Sequence, residues 1–168
     1  MFLNLSLLGL FAASVLADGA AIVAVMDEVA AQNTELGDAV ASWSGGLFGT
    51  LPIIVQSTKL LVKIKEATDV ARNSAPLNAI EAITVAQSTQ ALAGGVETTL
   101  GNVVDAKPKF DKLLLSPIIL LNLKQEKSAT DKFSVAVVEK VPEALKGAAG
   151  TLVRRIETAF DDAITTYS

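Results

Sequence analysis

The stretch FSVAVVEKVPEALKGAAGTLVRRIETAFDDAITTY, residues 133–167, decides the fold. Its apolar positions are Phe133, Val137, Val141, Leu145, Ala149, Leu152, Ile156, Phe160, Ile164 and Tyr167. Steps of three and four keep them on one helical face, whereas a strand would alternate apolar with polar. Glu139, Lys140, Arg154, Arg155 and Asp161 fall between them, as the solvated face of an amphipathic helix requires.

The same period runs upstream. Ile22, Val25, Met26, Val29, Leu36, Val40 and Trp43 form one stripe, and Leu47, Leu51, Ile54, Val55, Thr58, Leu61 and Val62 a second. Leu77, Ile80, Ile83, Ala91, Leu92, Val96, Leu100 and Val103 make a third; Phe110, Leu113, Leu114, Ile118 and Leu121 make a fourth. The breaks carry turn chemistry: glycines 45, 46 and 49, and Pro76 and Pro108 placed to open helices. Pro117 and Pro142 start or kink helices, and Ser128 to Asp131 reads as an N-cap with an acid in the first turn. Short gaps favour antiparallel neighbours, so the expected fold is all-α, an up-and-down bundle of about five helices without disulfides.

The first 17 residues hold no charge, are rich in Leu and Phe, and end Val15-Leu16-Ala17 before Asp18. That pattern predicts a secretory signal peptide at 1–17 and a single helical domain at 18–168. The leader's apolar run is too short to span a bilayer, and no transmembrane segment is expected in the mature chain. Residues 163–168 carry no hydrophobic tail, so a secreted, extracellular chain without a lipid anchor is expected.

Composition excludes much. Among 168 residues there is no cysteine and no histidine, which removes disulfide frameworks, thiol nucleophiles and histidine-dependent triads. A net charge of −4 offers no basic surplus for a nucleic-acid backbone. The charge is uneven: residues 18–57 hold acids and no base, while residues 107–132 are lysine-rich. Phosphate loops, nucleophile elbows and dinucleotide fingerprints are missing, so no catalytic residue, metal ligand or cofactor is expected.

What remains leans toward binding apolar matter, since 51% of the chain is hydrophobic. Residues 113–121 are apolar all round, fit for a core or for the wall of a lipid cavity. Gln32, Asn33, Thr58, Thr84 and Gln87 interrupt apolar stripes, where they either pair with neighbouring helices or orient a headgroup. Small residues at Gly94-Gly95 and at 147–150 permit close packing or a kink that shapes a cavity. Trp43 and Phe48 flank the glycine-rich turn, either anchoring it or forming an apolar lip for an interface.

The Ala17-Asp18 start before an Ile/Val-rich helix, Lys107-Pro108-Lys109-Phe110, and the closing stretch from Phe133 through Val141-Pro142 to Phe160 and Tyr167 carry a resemblance. The chain resembles the fungal hydrophobic surface-binding protein A family, which overlaps with the cell wall galactomannoproteins. It differs at the turn from Trp43 to Gly49 and in lacking a Ser/Thr-rich tail. The resemblance implies either adsorption to hydrophobic surfaces with recruitment of polyester-degrading esterases, or storage of fatty acids inside a helical bundle.

The leading expectation is therefore a fatty acid or similar amphiphile held inside the bundle. Its candidate wall is Val29, Leu36, Val40, Leu51, Val55, Thr58, Ile80, Thr84, Gln87, Leu114, Ile118, Leu121, Val137, Leu152 and Ile156. The first alternative is adsorption to a hydrophobic solid through Trp43 and Phe48, with a secreted esterase as partner. The second is a cell-wall or virulence protein acting through a protein partner.

Overall fold

A computed structural model describes residues 11–168, with side chains from Asp18 onward. The expected leader at 1–17 thus lies outside the residues whose side chains are described. The described chain is helical: α1 (Phe11–Ala41), α2 (Thr50–Asn73), α3 (Ala79–Asp105), α4 (Lys107–Lys112), α5 (Ser116–Lys140) and α6 (Lys146–Tyr167). Short 3-10 turns at Leu47–Gly49 and Glu143–Leu145 lead into α2 and α6. Five helices are long, as expected; α4 adds a sixth of 6 residues.

Successive long helices alternate in direction, yet the bundle is not wound in chain order. α1 packs on α2 and α3, α2 on α5, α3 on α6, and α5 on α6, closing a ring in the order 2-1-3-6-5. Pairs such as Lys63–Glu28 and Lys127–Asp161 mark the antiparallel contacts α1–α2 and α5–α6. Thr99 donating to the Asn33 carbonyl and Asn102 to that of Gly37 mark α1 and α3 as parallel. Their approach is close enough that a Cβ on Gly37 would lie 2.7 Å from Thr99 Oγ1.

Local chemistry accounts for most helix ends and corrects two expectations. Asn78 caps α3 through a full capping box with Glu81, so α3 begins after Pro76 rather than on it. Residues 128–131, expected to cap a helix, lie mid-helix in α5, where the burial of Ala129 and Phe133 outweighs the local signal. The long stripe of residues 133–167 is two helices. Pro142 has no N–H to continue the ladder, so α5 stops and the 3-10 turn restarts the chain as α6.

One end of the bundle is locked by aromatics. The Trp43 and Phe110 rings lie 4.4 Å apart and Phe110 and Tyr167 6.5 Å apart, tying the turn after α1 to α4 and α6. The Tyr167 hydroxyl donates to the Val103 carbonyl at 2.6 Å. Trp43 is only 4% exposed, and its indole N–H donates to the Gly46 carbonyl. It therefore anchors the glycine-rich turn and is unavailable as a surface lip.

Candidate functional site

The opposite end of the bundle is hollow. α3 and α6 are held together along their later turns, where Arg155 grips Glu97 in a two-bond ion pair. Beside their first turns a cavity of about 290 Å³ lies between α3, α5 and α6. Met26 of α1 reaches it as well. Small side chains leave the room: Ala82 and Ala86 on α3, Ala148 and Ala149 on α6. The small-residue segment at 147–150 therefore forms wall within a continuous helix and not a kink.

The wall is otherwise apolar. α5 supplies Phe133, Val137 and Val138, the residue after it Val141, and α6 supplies Leu152, Val153 and Ile156. Among the described residues, none of those lining the cavity is charged. Its polar side chains are Gln87, Thr89 and Gln90 on α3 and Thr130 and Ser134 on α5. Thr89 bonds the carbonyl four residues back at 2.8 Å. The hydroxyls of Thr130 and Ser134 stand on the wall without such a bond among the described residues, as do the amides of Gln87 and Gln90. Such a site can hold a hydrocarbon chain and offer neutral hydrogen bonds to its polar end.

Of the candidate wall, the structure brings Gln87, Val137, Leu152 and Ile156 together here. Val29, Leu36 and Val40 are buried in packed core. Leu51, Val55, Thr58, Ile80, Thr84, Leu114, Ile118 and Leu121 face outward. Thr58 and Thr84 need no partner helix, because their hydroxyls bond the Ile54 and Ile80 carbonyls. Gln32 pairs with Gln56 across α1–α2 at 2.9 Å. Thr130, Ser134 and Gln90 were missed. The signal for the first two was spacing, since 130, 134, 137, 138 and 141 share one face of α5.

The apolar run at 113–121 is neither a central helix nor cavity wall. It turns the corner from α4 into α5, with Leu114 at φ 58 and 85% exposed. At the same end Phe48 is 87% exposed, beside Leu47 and Leu51. Together with Ile118 and Leu121 these form an apolar outer end on the neighbouring helices α2 and α5. Leu47–Asn73 is also, among the described residues, the one helical stretch long and apolar enough to cross a membrane. Its inner face, with Ile53, Leu60 and Ile64, is buried in the bundle.

A second polar feature lies in the core near the aromatic end. Ser57 of α2 donates to Glu126 of α5 at 2.6 Å, beside a void of about 30 Å³. Burial pushes the Glu126 carboxyl up to about 7, and the Ser57 hydrogen bond offsets only part of that rise. Among the described residues, no group of three or more acids could hold a metal ion.

Fold and cavity define the class, a closed ring of helices with an apolar cavity, uncharged among the described residues, between α3, α5 and α6 at one end. The chain belongs to the hydrophobic surface binding protein A family, whose profile matches residues 19–139. It is 28% identical over 145 residues to a cell wall mannoprotein 1 of Aspergillus fumigatus and 26% over 143 residues to that of Aspergillus flavus. These matches take in 86% and 85% of this chain but only 50% and 52% of the relatives, so the chain spans about half their length.

Solved structures share the fold. Afmp4p in complex with palmitic acid superposes with a TM-score of 0.86 at 23% identity, covering 89% of this chain and 99% of that one. Ligand binding domain 1 of the Penicillium marneffei MP1 protein, complexed with arachidonic acids, gives 0.86 at 17% identity, covering 90% and 99%.

Proposed function

We propose that the chain is a non-catalytic lipid-binding protein that seats the hydrocarbon tail of a fatty acid or similar amphiphile in the α3–α5–α6 cavity. The observation that carries this is the cavity itself, about 290 Å³ with a mainly apolar wall and, among the described residues, no charged side chain. Its polar residues present neutral donors and acceptors for a headgroup. The ligands in the related structures named above support the same reading. The buried acids are poorly placed for catalysis: Glu81 serves a helix cap, and Glu126 sits beside a void too small for a substrate.

Size sharpens the ligand. An apolar void of roughly 150 Å³ holds one benzene. The present cavity of about 290 Å³ therefore holds roughly twelve carbons before the helices must part or the chain emerges. Native mass spectrometry of delipidated protein with dodecanoic acid tests the proposal. A one-to-one complex at micromolar ligand is expected; no retained lipid overturns it.

A second reading has its own observation, the exposed apolar end formed by Leu47, Phe48, Leu51, Leu114, Ile118 and Leu121. Single exposed leucines are ordinary, but a cluster at one end of a monomer suits an interface. This end would adsorb to a hydrophobic solid and could present a secreted esterase to it. Depletion from solution by wax or polyester beads, beyond that of an albumin control, is the test. We further propose removal of residues 1–17 on secretion, with the mature chain extracellular or held at the cell wall.

A further inference from the structure

Near the hollow end, Glu81 of α3 lies directly against Gly19 of α1. A Cβ at Gly19 would stand 2.8 Å from the Glu81 Cβ and Cγ and 3.2 Å from its carboxyl carbon, so only glycine admits this approach. Glu81 is 7% exposed. One carboxyl oxygen, Oε2, accepts the Asn78 N–H at 2.9 Å within the capping box. The other, Oε1, is buried without a hydrogen-bond partner among the described residues. Leaving a buried carboxylate oxygen unpartnered is costly, and natural folds seldom tolerate it without a use.

The residue before Gly19 is Asp18, at the expected cleavage point. The Glu81 carboxyl reaches back toward the start of α3 to meet the Asn78 N–H, and α3 runs parallel to α1, so it is displaced from Gly19 toward the Asp18 side of α1. Hydrolysis of the Ala17–Asp18 bond places water's hydroxyl on the Ala17 carbonyl carbon. It leaves the Asp18 nitrogen as an amine that takes up a proton at neutral pH. A single amide N–H thereby becomes an ammonium with three donors.

We propose that Glu81 Oε1, held over Gly19, is the seat of the mature N-terminus, pairing with the Asp18 ammonium that leader removal creates. This rests on the cleavage proposed above. The pair also answers a problem of the mature helix. A free ammonium would add positive charge at the end of α1 where the helix dipole is already positive, and the α3 carboxylate neutralises it. Maturation then ties α1 to α3 beside the lipid chamber.

The test begins with mass and N-terminal sequence of the secreted chain. A start other than Asp18 overturns the cleavage reading and this seat together. Given a start at Asp18, the α-amine is expected to titrate at least one unit above its ordinary range of about 7.7–8.0. At neutral pH it should then acylate about tenfold more slowly than in Glu81→Gln. A chain carrying one extra alanine before Asp18 keeps Glu81 but displaces the ammonium. It should show ordinary amine reactivity and a thermal midpoint several degrees lower. Equal acylation rates in the native and alanine-extended chains would overturn the seat while leaving the cleavage intact.

Discussion

Replacing Ala149 by Phe places a ring into the chamber from the α6 wall. A benzene-sized group takes roughly 150 Å³ of such a void, about half of the 290 Å³ present. The space lost would otherwise hold about six methylenes, each contributing about 0.8 kcal/mol when buried. Dodecanoic acid should therefore lose about 5 kcal/mol, or more than a thousandfold in Kd. The fold should not suffer, because the ring fills empty volume and gains contacts there. Isothermal titration with dodecanoic acid reads the affinity, and a thermal melt checks that the midpoint holds or rises. A well-folded Ala149→Phe chain that binds within about threefold of the parent would refute the cavity as the site, whatever else the protein binds.

Other consequences follow from the same geometry. Glu126→Gln should flatten the pH dependence of stability. With a folded value of about 7 against roughly 4.3 when unfolded, the native carboxyl favours its protonated form. Its contribution is therefore full below about pH 4 and lost as pH rises through 7, a fall of about 4 kcal/mol visible in urea midpoints. A parent protein equally stable at pH 5 and pH 8 would contradict this. Gly37→Ala drives a methyl into Thr99 and should cost about 1–3 kcal/mol in chemical denaturation. Phe48→Ser with Leu114→Ser should leave the melting midpoint nearly unchanged while cutting adsorption to polyester beads. Trp43→Ala should instead cost about 3–5 kcal/mol, because Trp43 is core.

How much of this was legible in the residues depends on the scale of the question. Helical period alone named the buried faces of α1 and α6, as Ile22, Met26, Ile156 and Phe160 show. Proline and the glycine-rich turn marked most boundaries. Ring order was hidden, because α1–α3 pairing depends on Gly19 and Gly37 permitting close approach, which no periodicity records. The site was half legible. Val137, Leu152 and Ile156 belong to the longest stripe, but the stripe does not record that its two helices leave a cavity between them and α3.

Threonine misled in a specific way. Thr58 and Thr84 interrupt apolar stripes yet satisfy themselves on the preceding turn, so they face water at no cost. Ser134 and Thr130 look no different in sequence and stand on the cavity wall. Leu114 and Trp43 trade places for a related reason. Exposure at the helix corners is set by where the chain turns, and hydrophobicity alone does not report that.

The most direct test of an interior lipid site is an intermolecular NOE experiment with 13C-labelled dodecanoic acid. Contacts from the acyl methylenes to the methyl groups of Val137, Leu152 and Ile156 are the predicted result. Contacts confined to Leu51, Leu114 and Ile118 would place the lipid on the outer apolar end and contradict it.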